Sequence, residues 1–182
     1  MKHKISEEIA IPEGVKCSLE GNKIICHKGS DKVSKIMGMP KLIIKVDAEK
    51  ISLLYEKAGK RDRATLLALV AHIKNLFQGL GEKFVYEMEI CNVHFPMTVK
   101  VEGKRLVVSN FLGEKEKRYA NIAHDANVEI KGNKVLVSAS NIEHAGQTAA
   151  NIEKATWISK RDRRVFQDGI FITSKPSKEH EK

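Results

Sequence analysis

Residues Lys160-Arg161-Asp162-Arg163-Arg164-Val165-Phe166-Gln167-Asp168-Gly169 put four cations within five positions and follow them at once with an aromatic ring and an amide. Cations this dense repel one another unless a polyanion neutralises them. The chemistry such a run supports is recognition rather than reaction. Lys160, Arg161, Arg163 and Arg164 suit phosphates, Phe166 and the arginine planes suit stacking on unpaired bases, and Gln167 suits a base or sugar edge. Asp168-Gly169 then makes a turn. The competing reading is a solvated basic turn behind a helix, and the segment by itself leaves both open. Phe166 is open in a second way: its position beside Ile170 and Ile172 also permits a place in the core.

A second segment has related chemistry. Asn110-Phe111-Leu112-Gly113-Glu114-Lys115-Glu116-Lys117-Arg118 holds an aromatic at Phe111, a glycine at Gly113 that lets backbone approach closely, and cations at Lys115, Lys117 and Arg118. Its charges alternate in sign, which a solvated loop would also show. Catalytic spacing is absent. The seven histidines form no His-x-x-x-His pair. Cys26 and His27 are adjacent, but a strand throws neighbours to opposite faces. Gly29-Ser30-Asp31-Lys32 lacks the second glycine of a phosphate-binding loop. His94-Phe95-Pro96 reads as a structural entry to a strand. Cys17, Cys26 and Cys91 form no Cys-x-x-Cys and read as isolated reduced core thiols, neither a zinc site nor a redox pair. No metal, no other protein-held cofactor and no small-molecule substrate is implied.

The whole chain extends the cationic theme. Its 182 residues carry a formal net charge of +9, and the pI is about 9.4. The basic residues run through both halves, so the charge argues for an acidic partner rather than for a charged tail. No apolar run approaches the ~20 residues that span a bilayer, and Met1 to Glu8 lacks the apolar core of a signal peptide.

The elements that must position these residues occur twice over. Val15, Cys17 and Leu19 alternate with polar residues, Gly21-Asn22 turns, and Lys23 to Cys26 returns. A polar loop is expected from Gly29 to Pro40, and a second hairpin pairs Leu42, Ile44 and Val46 with Ile51, Leu53 and Tyr55. Asp62 is the expected cap of a helix whose buried stripe is Leu66, Leu69, Val70, Ile73, Leu76 and Phe77, ending at Gly79. The order then repeats. Thr98 to Glu102 turns at Gly103-Lys104 and returns as Arg105 to Val108; a polar loop runs from Asn110 to Arg118. Val128 and Ile130 then pair with Val135 and Val137. Ser140 and Glu143 form an expected capping box ahead of a helix with Ala145, Ala149, Ile152 and Thr156 inward. Gly146 suits close packing. The fold class is α+β: two duplicated small domains, each an antiparallel sheet of hairpins with one amphipathic helix packed on one face. Their expected bounds are 1–82 and 83–173, with a flexible polar tail over 174–182.

The motifs His72-Ile73-Lys74-Asn75, His94-Phe95-Pro96-Met97-Thr98-Val99, Asn110 to Lys115, Gly146-Gln147-Thr148-Ala149-Ala150-Asn151-Ile152-Glu153 and Arg161 to Ile170 occur here in order. In that order the chain resembles the L-six family of large-subunit ribosomal proteins, in its archaeal and eukaryotic form, over nearly its whole length. The resemblance implies a duplicated α+β protein of the cytoplasmic ribosome. It further implies binding to 23S-type ribosomal RNA beside neighbouring large-subunit proteins, near the factor-binding side, the stalk base and the sarcin-ricin region. It also implies that the second domain makes much of the RNA contact, through Lys160, Arg161, Arg163, Arg164, Phe166 and Gln167, with Asn110, Phe111, Gly113, Lys115, Lys117 and Arg118 in support. Asp168 and Gly169 fit a shaping role. A reaction and a membrane are not implied. Two rival readings remain. An RNA-processing enzyme would need clustered carboxylates for metal, and Asp162 and Asp168 stand isolated among cations. A DNA-binding architectural protein would need a basic groove-reading helix or ribbon, and neither helix is basic along a face.

Overall fold

The computed structural model describes residues 3–29, 31–38 and 40–176. The chain divides into two compact units, Met1–Glu82 and Lys83–Lys182. The first holds β1 (His3–Ala10), β2 (Lys16–Glu20), β3 (Lys23–Lys28), β4 (Asp31–Ile36), β5 (Leu42–Val46), β6 (Lys50–Ala58) and α1 (Lys60–Gly81). The second holds β7 (Phe84–Cys91), β8 (Thr98–Glu102), β9 (Arg105–Ser109), β10 (Arg118–Asn121), β11 (Asn127–Lys131), β12 (Lys134–Ala139), α2 (Ile142–Ala155) and β13 (Gly169–Ser174).

The two units repeat one topology. Strands β1-β6-β5 and β2-β3-β4 make the two sheets of the first unit. In the second, β8-β9-β10 matches β2-β3-β4, and β7-β12-β11 matches β1-β6-β5, with β13 added beyond β7. All pairings are antiparallel, as alternating sequence and short turns require. Gly21 and Gly103 open the equivalent two-residue turns at φ of 58° and 61°, the backbone region that favours glycine at this position of a hairpin. Each expected hairpin thus falls on a separate sheet. A strand not legible in the alternation, β1 or β7, joins the second hairpin of each half. Helix α1 packs on β3 and β4 and also on β1 and β6; α2 packs on β10 and also on β7, β12 and β13.

Several local expectations are corrected. The stretch expected as a loop over 29–40 contains β4, whose only buried side chain is Val33, opposite Cys26. The loop expected over 110–118 ends in β10. Both are edge strands, and their polar sequences fit an edge that must not recruit further strands. Helix α1 begins after Gly59, not Asp62. The Asp62 carboxylate reaches back to accept the Gly59 N–H at 2.8 Å, so it serves the first turn from inside the helix. Gly79 is internal and buried; the helix runs on to Gly81. At α2 the cap is Asn141, whose side-chain oxygen accepts the Glu143 N–H at 3.0 Å, in place of the Ser140 box. Ser174 closes β13 opposite Glu87 rather than opening a tail, and 177–182 lie outside the described residues.

The cores follow the stripes. Ile24, Ile51, Leu53, Leu66 and Ile73 are fully buried in the first unit, and Met88, Leu106, Val108, Phe111, Ile152 and Ile170 in the second. Small residues let α2 approach its sheets closely. A Cβ on Gly146 would lie 3.0 Å from the Tyr86 hydroxyl, and Ala145 and Ala149 have no exposed surface. Ala149→Leu is therefore expected to overpack this contact and lower the unfolding free energy by about 1–3 kcal/mol; an unshifted urea midpoint would contradict the packing.

Candidate nucleic-acid interface

The cationic segment occupies the connection from α2 to β13, the strand that has no counterpart in the first unit. Both ends of the connection are clamped. The Thr156 hydroxyl donates to the Glu153 carbonyl at 3.2 Å and accepts the Ile170 N–H at 2.9 Å, which ties the end of the helix to the start of the strand. Asp168 is buried, with its side chain 1% exposed. Its carboxylate accepts the His94 backbone N–H at 2.9 Å and meets the His94 ring at 2.6 Å. Burial pushes the Asp168 carboxyl upward, but the His94 N–H, the His94 ring and the Val93 N–H outweigh it and hold the group below the ordinary carboxylate range.

Between the clamps Asp162 organises a tight turn. Its carbonyl accepts the N–H of Val165 at 3.1 Å and of Phe166 at 2.9 Å. Its carboxylate accepts the Arg164 backbone N–H at 2.9 Å and grips the Arg164 guanidinium, with Nη2 at 2.9 Å. These bonds hold the Asp162 carboxyl below its usual value. Gln167 donates its amide N–H to the Arg164 carbonyl at 3.1 Å. The Arg161 guanidinium stands 4.9 Å over the Phe166 ring, and Phe166 stacks with His94 at 5.0 Å between centroids. The Arg163 guanidinium stands 5.1 Å over Trp157. Lys160, Arg161, Arg163 and Arg164 are all exposed. Phe166 is half-buried and packs on the core, while its ring meets His94 and Arg161.

The Asn110–Arg118 segment lies against this connection, but largely as support. Phe111 is 0% exposed; the expectation that it is among the supporting RNA contacts is corrected, because its ring is spent in the core. Arg118 lies 4.3 Å over that ring and donates to both Glu114 carboxylate oxygens and to the Ala155 and Trp157 carbonyls. It is therefore a strut that joins the loop to the end of α2. Its fork holds the Glu114 carboxyl below the usual range, against a smaller opposing effect of burial. Asn110 sits at φ 59° and donates its amide to the Pro96 carbonyl. Gly113, at φ 78°, passes the Phe95 ring, to which an added Cβ would lie 3.7 Å. Lys115 and Lys117 alone of the segment's expected contacts are exposed cations with no structural duty in the bonds described.

Two residues of the surface escape sequence reasoning. Trp157 is 58% exposed and Val165 59% exposed, and together with Phe166 they bring apolar area among the cations. The signal for Trp157 was present: it is the one tryptophan of the chain, just past a helix end and three residues before Lys160. His94 carried no such signal, since its partner lies 74 positions away. A small cavity of about 170 Å³ lies against this segment, lined by Glu153, Thr156, Trp157, Ile158, Arg163, Asp168 and Phe171. Among the described residues no cluster of His, Cys, Asp or Glu could hold a metal ion.

Comparison with known proteins bears on the same region. The profile of Ribosomal protein L6 matches residues 95–169. The large ribosomal subunit protein uL6 of Methanocella arvoryzae is 42% identical over 169 residues, 92% of this chain and 96% of that protein. That of Methanosarcina mazei is 42% identical over 96% of this chain and 99% of its own length, and that of Haloarcula marismortui is 39% identical over 94% and 96%.

The Asp168 clamp has a pH signature. A carboxyl whose folded pKa is depressed contributes stability that is present above its unfolded value, near pH 4, and lost as pH falls through the folded value. Asp168→Ala is expected to cost about 1–3 kcal/mol at neutral pH by leaving the His94 N–H without its partner. It should also flatten the acid limb of a stability-versus-pH curve below about pH 4. Urea denaturation across that range measures both.

Proposed function

This chain belongs to the ribosomal protein L6 family, and from that premise we propose that it binds 23S-type ribosomal RNA chiefly through the connection between α2 and β13. As a member it is a structural constituent of the large ribosomal subunit and not an enzyme. The observation that carries the RNA reading is the exposed array on the Asp162 turn: Arg161 over Phe166, Arg163 over Trp157, and Lys160 and Arg164 beside them.

This arrangement suits RNA in a specific way. The cations neutralise phosphates and position the protein, with no sequence information in those contacts. Trp157 and Phe166 give flat apolar surface for an unpaired base, which a regular duplex does not present. Holding the guanidiniums over rings keeps their charge outward and limits the side-chain freedom that binding must remove. Lys115 and Lys117 extend the positive field. The fold reading supports the second unit as the main RNA-binding domain, because only it carries β13 and the connection before it. The ribosomal setting that goes with the family is the factor-binding side of the subunit, near the stalk base and beside neighbouring large-subunit proteins.

Neutralising Lys160, Arg161 and Arg163 together to Ala, with Arg164 kept to preserve the turn, is expected to weaken binding to 23S-type RNA strongly. The slope of log K against log salt should become shallower by about 2–3, the share of three phosphate contacts. Unfolding free energy should shift by no more than about 1–2 kcal/mol, since the substitutions are on the surface. Trp157→Ala should cost about 1–3 kcal/mol of affinity where a base stacks on the ring. Full RNA binding by the triple variant, with an unchanged salt slope, would overturn the assignment of this surface.

A further inference from the structure

The first unit carries a side-chain pair that lies outside the surface proposed for RNA. Cys17 on β2 and Cys26 on β3 are directly opposed in the antiparallel register, and their sulfurs lie 3.0 Å apart. A sequence separation of nine conceals this; the hairpin closes the gap, so these two thiols are not isolated as expected. Directly opposed residues have Cβ atoms about 4.5–5.5 Å apart, close to the roughly 3.5–4.5 Å a disulfide needs. Joining them asks for a small side-chain and strand adjustment and no refolding. Both are free thiols here. Cys26 is fully buried among Ile24, Val33 and Ile73, while Cys17 packs on the same core but keeps part of its surface open to solvent.

We propose that Cys17 and Cys26 form a dithiol–disulfide site that closes when the chain meets a peroxide. Cys17, the accessible member, attacks first. Its thiolate forms an S–O bond to one peroxide oxygen, the O–O bond breaks, and hydroxide leaves, so Cys17 becomes a sulfenic acid. The Cys26 sulfur then attacks the Cys17 sulfur. The S–S bond forms, the S–O bond breaks, and the departing hydroxide takes the Cys26 proton as water. The balance is two thiols and one peroxide giving one disulfide and two waters. A small-molecule dithiol reverses it by exchange.

The order of attack agrees with the local electrostatics. The hydrogen bond shared with Cys26, in which either sulfur can donate, holds the Cys17 thiol below its ordinary value, more strongly than burial raises it. That same hydrogen bond, then burial, drives Cys26 far upward. Cys91 is a built-in control. Burial first, then the charges of Glu89 and Asp168, pushes its thiol up, and it makes no contact with a second cysteine among the described residues.

The test uses the full chain, reduced and then freed of reductant. It is treated with hydrogen peroxide under native conditions, alkylated, and mapped by peptide mass spectrometry. The expected result is a monomer with one Cys17–Cys26 disulfide and Cys91 still alkylated. The urea midpoint of the first unit should be raised, because the link restricts the unfolded chain. Dithiothreitol should restore all of these. Cys17 should react about tenfold or more faster than Cys91, following thiolate availability. In Cys26→Ala the reaction should stop at a Cys17 sulfenic acid that a cyclic 1,3-diketone traps; in Cys91→Ser the disulfide should form as in the parent. Mapping of the parent chain decides the matter even where Cys26→Ala fails to fold. A folded chain in which Cys17 and Cys26 stay reduced, or join different molecules, or in which Cys91 oxidises first, overturns the proposal.

Discussion

The surface of the second unit depends on one buried carboxylate. Asp168 takes the His94 backbone N–H and the His94 ring, and so ties the end of the cationic connection to the turn that follows β7. His94 in turn stacks on Phe166, which carries Arg161. A burial cost that would ordinarily exclude a lone carboxylate is offset by directed hydrogen bonds. The result is that a segment without helix or strand pairing of its own is held at both ends. Asp168 thus fixes the end of the connection from within.

The second unit carries elements that the first does not repeat. Strands β7 to β12 and α2 repeat β1 to β6 and α1. Among the described residues, β13 is the one strand of the second unit without a counterpart, and the connection before it comes with it. The added strand extends the sheet at β7 and gives the connection a fixed landing point through Thr156 and Ile170. A loop anchored between a helix end and a new edge strand can carry like charges at a density that neither a helix face nor a strand in the sheet would hold.

The cations of this region divide by task. Arg118 is engaged on every side, by Glu114, two carbonyls and the Phe111 ring, and so fixes the loop in place. Arg164 is paired with Asp162 yet remains 90% exposed, so it both closes the turn and faces solvent. Lys160, Arg161 and Arg163 have no carboxylate partner among the bonds described. This graded neutralisation keeps repulsion within the segment tolerable in the free protein while leaving net positive charge outward. An exposed pair such as Arg164–Asp162 adds little stability; its effect is geometric.

Much of the fold was legible in the residues. The hairpins around Gly21 and Gly103, the stripe of α1, the small residues of α2, the repeat and the cationic run all follow from periodicity and composition, which report a residue's face and a segment's local conformation. The edge strands β4 and β10 were not, because an edge strand with a single inward residue has no alternation to detect. The helix caps shifted by a few positions because Gly59 and Asn141 act through backbone and side-chain bonds that several neighbouring residues could supply equally well. For the site, the sequence by itself determined which segments are cationic and aromatic. Only the tertiary structure decided that Phe111 turns inward and Trp157 outward, that Arg118 is a strut, that His94 meets Asp168, and that Cys17 meets Cys26. Each of those outcomes is a choice of partner, and a partner is set by how strands register and sheets pack, which spacing along the chain does not encode.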